Sequence, residues 1–443
     1  MTDDESDDFR EMLRRFLENG EEFDVAQFAK AAGLPGDPAA IKAMLAQLQA
    51  ALSQGGDGIT EKLVRDTATR VANAKAVTVE QSALDTANSA LQLAALWLDE
   101  ATSISPLTAT PTLMTRPEWA RASIPVWIQI AEPVAVSISR AAEKLLSENM
   151  PDDVDAARQG AFDALGRLGG TLFSMQLGQI VGQLSEEVSS GADLGIPLLD
   201  GPLDHELRAV LIPQNVIAFA DGLDISLHDV MLYLAIRELA HARLFKHAKW
   251  LKHGLIASIT EYANGISINS EALRDAMEDV DMSDPESLRR MVSGGALIPP
   301  KTDEQLVALA RIETILAIVE GWVDVVTHSA AHRLPTRDAI AEMVRRQRAV
   351  GRPGEKALAG LVGIEARPRR LREATEMWST VNEAVGADGR DALWDNADSV
   401  PTAADIDDPA ALVARLTGGP SAPDEMDRAL RELLDNDGTV DEN

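Results

Sequence analysis

The stretch Leu232-Tyr-Leu-Ala-Ile-Arg-Glu-Leu-Ala-His-Ala-Arg-Leu-Phe245 holds the residues best suited to chemistry. Two histidines one helical turn apart can aim their imidazoles at one divalent ion, and a glutamate beside the first can activate a water bound to that ion. That arrangement needs H-E-x-x-H. Here the glutamate is Glu238 and the second histidine is His241, but Arg237 stands where the first histidine would be. The dipeptide His205-Glu206 does not supply the pattern, because residue 209 is Ala209. A second polar set lies downstream at Glu320, Asp324, His328 and His332. Residues four apart on a helix lie about 40° apart around its axis, so these four share a stripe. Glu320 and Asp324 offer carboxylates, and His328 with His332 has the spacing for two-point metal binding. Acidic pairs at this spacing are also common on solvated helix faces. Arg237, Glu238, His241 and Arg243 also fit as ordinary polar positions on an amphipathic helix.

Composition limits what these residues can be. The chain has 443 residues, 41 basic and 71 acidic, for a net charge of −30, and it has no cysteine. Disulfide scaffolds, thiolate metal sites and cysteine nucleophiles are excluded, so any metal must be held by histidine and carboxylate. The acidic excess argues against a nucleic-acid partner, because phosphate binding needs a positive surface. The start is acidic (Asp3, Asp4, Glu5, Asp7, Asp8), unlike the basic start of a signal peptide. The most apolar stretch, 124–136, is broken by Gln129, Glu132 and Pro133, so no membrane span and a cytoplasmic location are expected.

The acid is concentrated at the ends. Residues 1–24 carry a net −7 and residues 421–443 a net −6. The expected organisation is an acidic, partly flexible N-terminal helical region at 1–75, a main helical domain at 76–415, and an acidic tail at 416–443. Helices are predicted over 77–102, over 117–146 with interruptions at Pro125 and Pro133, and over 153–190. Two short β-branched runs, 208–213 and 215–220, are the strand candidates. A helix capped by Ser226 follows to Phe245, then helices at 303–333, 336–349 and 368–385, with a loop at 350–354. Trp250 and Trp322 read as packing anchors. Arg345, Arg346, Arg348 and Arg352 form one basic cluster, and Arg367, Arg369, Arg370 and Arg372 form another. Arginines at helical spacing usually pair with a protein's own acids.

Several blocks together resemble a known family. They are Leu96-Trp-Leu-Asp-Glu-Ala-Thr102, Glu118-Trp119 and Pro125-Val-Trp127; Gly178-Gln-Ile-Val-Gly182 and Gly195-Ile-Pro-Leu198; and Ile212-Pro-Gln-Asn215. To these are added Ala235-Ile-Arg-Glu-Leu-Ala-His-Ala-Arg-Leu-Phe245, Val319-Glu-Gly-Trp-Val-Asp324, Arg369-Arg-Leu-Arg-Glu373 and Gly389-Arg-Asp-Ala-Leu-Trp394. Over roughly 78–415 the chain resembles the bacterial zincin-like metallopeptidases of the second zincin type, which include proteins associated with deazaflavin-coenzyme biosynthesis. It is similar to a branch with R-E-x-x-H in place of H-E-x-x-H. The resemblance implies a mainly α zincin-like domain with a small β element and an additional helical bundle. It implies zinc as the cofactor, position 237 as first ligand, Glu238 as general base, His241 as second ligand, Glu320 as third and Asp324 behind the ligands.

Arginine at 237 changes the expected chemistry. A guanidinium stays charged, carries five donors and offers no lone pair, so it repels a cation and forks onto carboxylates. The expectation is that Arg237 takes the metal's place electrostatically and pairs with Glu320, Glu238 or both. The chain would then lack ordinary zinc peptidase activity and act through its cleft on a peptide or protein partner, as a binding or regulatory module. The alternative is an active metal-dependent hydrolase in which Glu238 activates water and His241, Glu320 and either His328 or His332 hold the metal. A plain helical interaction protein is the third reading.

Overall fold

The computed structural model describes residues 58–149, 155–199, 208–266, 301–364 and 369–418. The expectations for 1–57 and for the tail from 419 onward lie outside them. The chain divides into two compact units. One comprises the described residues within 67–127, 179–259 and 307–443, the other those within 1–66, 128–178 and 260–306. Every candidate site residue lies in the first.

At the centre of the first unit is the helix carrying the Arg237 motif, Leu227–His247 (α6), preceded in the chain by α1 (Glu61–Ala74), α2 (Gln81–Asp99), α3 (Arg116–Asn149), α4 (Asp155–Glu187) and α5 (Pro213–Ala220). Ser226 caps α6 by accepting from the Asp229 N–H at 3.1 Å. Asp229 in its first turn and Lys246 and His247 in its last turn match the helix dipole. Every residue from Val230 to Phe245 is buried, the pattern of a helix surrounded by other elements. On one side α6 packs along α2, whose buried stripe is Ala87, Ala90, Leu91, Ala94 and Leu98. The small alanines at three- and four-residue steps let the two backbones approach closely.

The next helices complete the frame: α7 (Trp250–Asn264), α8 (Asp303–Ala330), α9 (Arg337–Val350), α10 (Pro353–Val362), α11 (Leu371–Asp391), α12 (Ala403–Asp407) and α13 (Pro409–Leu416). A cluster of tryptophans locks α8 to α11. Trp378 and Trp394 stack at 5.4 Å, and Trp322 meets Trp394 edge-on at 6.3 Å. Trp378 Nε1 donates to the Ile318 carbonyl at 2.8 Å and Trp322 Nε1 to Asp391 Oδ1 at 2.9 Å. The anchoring role expected for Trp322 follows from these contacts.

Among the described residues the β structure is two short parallel strands, β1 (Thr112–Leu113) and β2 (Val210–Leu211), in register Thr112↔Val210 and Leu113↔Leu211. The segment after α4 joins β2 through an antiparallel bridge, Ser190↔Leu211. Gly191 N–H donates to Val210 O at 3.0 Å, and Ile212 N–H donates to Ser189 O at 2.9 Å.

The fold is mainly helical with a small β element, as the sequence implies. Individual elements differ from expectation. Of the two strand candidates only part of the first is a strand. The second is helix α5, because Pro213 sits at N1, where its fixed φ suits a helix start and its missing N–H is not needed. Helix α3 runs through Pro125 and Pro133 without the expected interruptions. An interior proline costs about 3 kcal/mol, and burial of each large side chain such as Trp119, Ile124 and Trp127 returns about 1.5–3 kcal/mol. By length and composition one helical window, 116–141, is apolar enough to cross a membrane, where the polar interruptions predict none. Trp119 and Trp127 within it are buried inside the protein. The loop expected over 350–354 passes at Pro353 into α10, which Gly363 ends with φ +75°. Helix α7 was likewise not predicted.

Candidate functional site

Glu320 is the hinge of the site. It lies on α8 and is fully buried. Its Oε2 accepts from Arg237 Nη2 on α6, and its Oε1 accepts from Arg348 Nη2 on α9. His241 Nε2 lies 3.2 Å from the same Oε1. His241 Nδ1 donates to the Arg237 carbonyl at 3.0 Å, so Nε2, the nitrogen a metal would use, faces the carboxylate instead. One carboxylate thus carries two guanidiniums and an imidazole. Burial alone would raise the Glu320 carboxyl, but the guanidiniums of Arg348 and Arg237 overcome it and hold the group below the usual carboxylate range.

Asp324, one turn further along α8, lies 4.0 Å from Arg237 Nη1 and accepts from Arg345 Nη2 at 3.1 Å. It is a charged neighbour of Arg237 without a hydrogen bond to it. Tyr233 lies one turn before Arg237 on the same face of α6; it is buried, and its hydroxyl has no partner among the described residues.

Glu238 points elsewhere. Its Oε1 accepts from Val210 N–H at 2.8 Å and its Oε2 from Ala192 N–H at 2.9 Å. Burial pushes its carboxyl up, against those two bonds. Each carboxylate oxygen is therefore occupied by backbone, and Glu238 ties β2 and the segment 189–199 to α6. The expected alternative pairing of Arg237 with Glu238 is not among the described contacts.

Neither His328 nor His332 contacts Glu320 or His241 among the described contacts. His328 is half-buried, and its Nδ1 lies 3.7 Å from Asp338 on α9. His332 falls beyond the end of α8 in a short 3-10 turn and donates to the Ser329 carbonyl at 3.1 Å. The stripe runs on through His328, which turns to Asp338, and ends before His332, because the α-helix ends at Ala330.

The segment 189–199 covers Glu238 and Glu320, and it is buried throughout. Asp193 Oδ2 accepts from Arg352 Nη1 at 2.8 Å and from Ser189 N–H at 2.8 Å, and its carbonyl accepts from Arg348 Nη1. Gly195 has φ +72°, and a Cβ there would stand 2.7 Å from Glu320 Oε1. A Cβ on Gly191 would stand 2.7 Å from Glu238 Oε1. Only glycine permits this approach at either acid.

The basic cluster read from sequence does pair with the protein's own acids, Arg345 with Asp324, Arg348 with Glu320 and Arg352 with Asp193; the sequence reading misses that Arg348 belongs to the site, along with Asp193 and Gly191. One signal was available. Arg348 continues the buried line Ile340, Ala341, Val344 on α9, and a charged residue on an apolar stripe needs a buried partner.

Zinc does not fit this donor set. Position 237 offers donors and no lone pair. Both Glu320 oxygens and His241 Nε2 are directed at one another or at arginine. Among the described residues no three His, Asp or Glu side chains are grouped to hold a metal ion.

A buried helix with a Glu-x-x-His step, faced by an acid on a second helix and bordered by a short sheet, is the frame of a zincin. The chain belongs to the zincin-like metallopeptidase family, whose sequence profile matches residues 59–413. A solved structure from Chloroflexus aurantiacus, described as "a putative hydrolase with a novel fold", is similar over 82% of this chain and 100% of that one. The TM-score is 0.53 at 16% identity, a likeness of fold. No curated protein matches the chain.

Proposed function

We propose that this protein is a zincin-fold binding or regulatory module without ordinary zinc peptidase activity. The observation that carries the proposal is the buried pair of Arg237 with Glu320, the first-ligand position bonded to the third. Two further features support it. Glu238, the general base of an active enzyme, is bonded on both oxygens by backbone N–H groups. His328 and His332, the substitute ligands of the hydrolase reading, are engaged elsewhere. The finer placement belongs to the same proposal: an R-E-x-x-H branch related to deazaflavin-coenzyme-associated proteins, rests on the blocks quoted above. A main domain at 76–415 between acidic end regions, a peptide or protein partner and a cytoplasmic location are part of the same proposal and rest on the charge distribution and the altered site.

Metal analysis of dialysed, untagged protein tests the reading. The expected content is well under about one zinc per chain. One zinc per chain that disappears in His241→Ala would overturn it.

A further inference from the structure

We infer that the barrier to metal is double: Arg237 and Arg348 together supply the two positive charges of a divalent ion to Glu320, and Arg348 also clamps the segment 189–199 over the same carboxylate. This deepens the proposed function and rests on it.

Geometry separates the two arginines. Arg237 takes Glu320 Oε2, whereas Arg348 takes Oε1, the oxygen that His241 Nε2 faces. A metal shared by His241 and Glu320 would therefore compete first with Arg348. Restoring histidine at 237 leaves that guanidinium in place. Its other arm is anchored by Asp193 O, and Arg352 fixes Asp193 through its side chain. Both terminal nitrogens of Arg348 are thus engaged. It is buried, and its Nε has no acceptor among the described residues. A buried donor left unpaired is costly, so this guanidinium is kept by its charge and its two arms and not by full hydrogen-bond satisfaction.

The segment 189–199 adds a steric part. Gly195 lies against Glu320 and Arg348, its notional Cβ 2.7 Å from Oε1 and 3.4 Å from Nη2. Gly191 does the same at Glu238. The segment fills the space in front of both acids, and the arginines that replace the cation also hold it there. Substituting the metal and closing the site are thus one device.

The test is zinc binding by wild type, Arg237→His, Arg348→Met and the double variant, read by mass-spectrometric metal content after dialysis against zinc. The expected result is no stoichiometric zinc in wild type or either single variant. The double variant should hold about one zinc per chain, lost again when His241→Ala is added. Arg237→His binding one zinc by itself would overturn the inference, because Arg348 would then be no barrier. A folded double variant without zinc would overturn it too. If the double variant is unfolded without metal, zinc is added and circular dichroism recorded. Folding on zinc supports the inference, and a chain that stays unfolded contradicts it. Zinc in the wild type would instead refute the proposed function itself, so the two failures are distinct.

Discussion

Two buried carboxylates anchor neighbouring positions of α8, and they are satisfied in opposite ways. Asp391, which holds Trp322, accepts from Thr102 Oγ1 at 2.6 Å, Ser103 N–H at 2.9 Å, Trp322 Nε1 at 2.9 Å and one cation, Arg390 Nε, at 2.7 Å. Glu320, two residues before Trp322, is met by two guanidiniums and an imidazole. A carboxylate that only joins elements is served by neutral donors and one balancing charge. One surrounded by cations sits where the fold was built to present it to positive charge. The contrast separates Glu320, which neutralises two buried cations, from Asp391, which joins elements.

The largest expected effect comes from removing the two charges. Glu320→Gln strands two buried guanidiniums and should cost about 3–5 kcal/mol. Asp391→Asn strands one guanidinium, Arg390, which still donates to Ala101 O and Asn382 Oδ1, so it should cost less, about 3 kcal/mol. Urea unfolding of both variants measures the gap. Equal costs, or a reversed order, would break the comparison.

A middle-sized effect is expected at Gly195. Its φ of +72° and the nearby Glu320 oxygen should make Gly195→Ala cost about 1–3 kcal/mol. Gly222 has φ +79° with nothing within 4 Å of a notional Cβ, so Gly222→Ala carries the backbone cost alone, about 1 kcal/mol. The difference between the two melting shifts reports the crowding at Glu320. No difference would remove the segment 189–199 from the account.

The smallest effect is in acid. The Glu320 carboxyl is held below its ordinary value, so its contribution is present above the unfolded carboxylate range and lost as pH falls through the folded value. The stability gap between wild type and Glu320→Gln should therefore narrow below about pH 4. A gap that stays constant down to the acid transition would mean that the charge of Glu320 does not carry it.

Much of the frame was legible because local signals agreed with the fold. Ser226 and Asp229 begin α6, and the alternation of Ala87, Leu91, Ala94 and Leu98 gives the buried face of α2. The i, i+4 geometry put Glu320 and Asp324 on one face, and charge chemistry pointed Arg237 toward a carboxylate. What escaped was set by tertiary packing. Residues 215–220 are β-branched enough to pass for a strand, yet Pro213 starts a helix there. Arg348 and Asp193 lie far from Glu320 in the chain, and no spacing rule links them. His332 obeyed the spacing but lost the face when α8 ended at Ala330, and His328, still on α8, turns to Asp338.

The most direct measurement of the central claim is diffraction at the zinc absorption edge from crystals grown with excess zinc. The account predicts no anomalous peak between His241 Nε2 and Glu320, with the Arg237 and Arg348 guanidiniums in density on the two carboxylate oxygens. A full-occupancy peak there, with either arginine swung away, would contradict it.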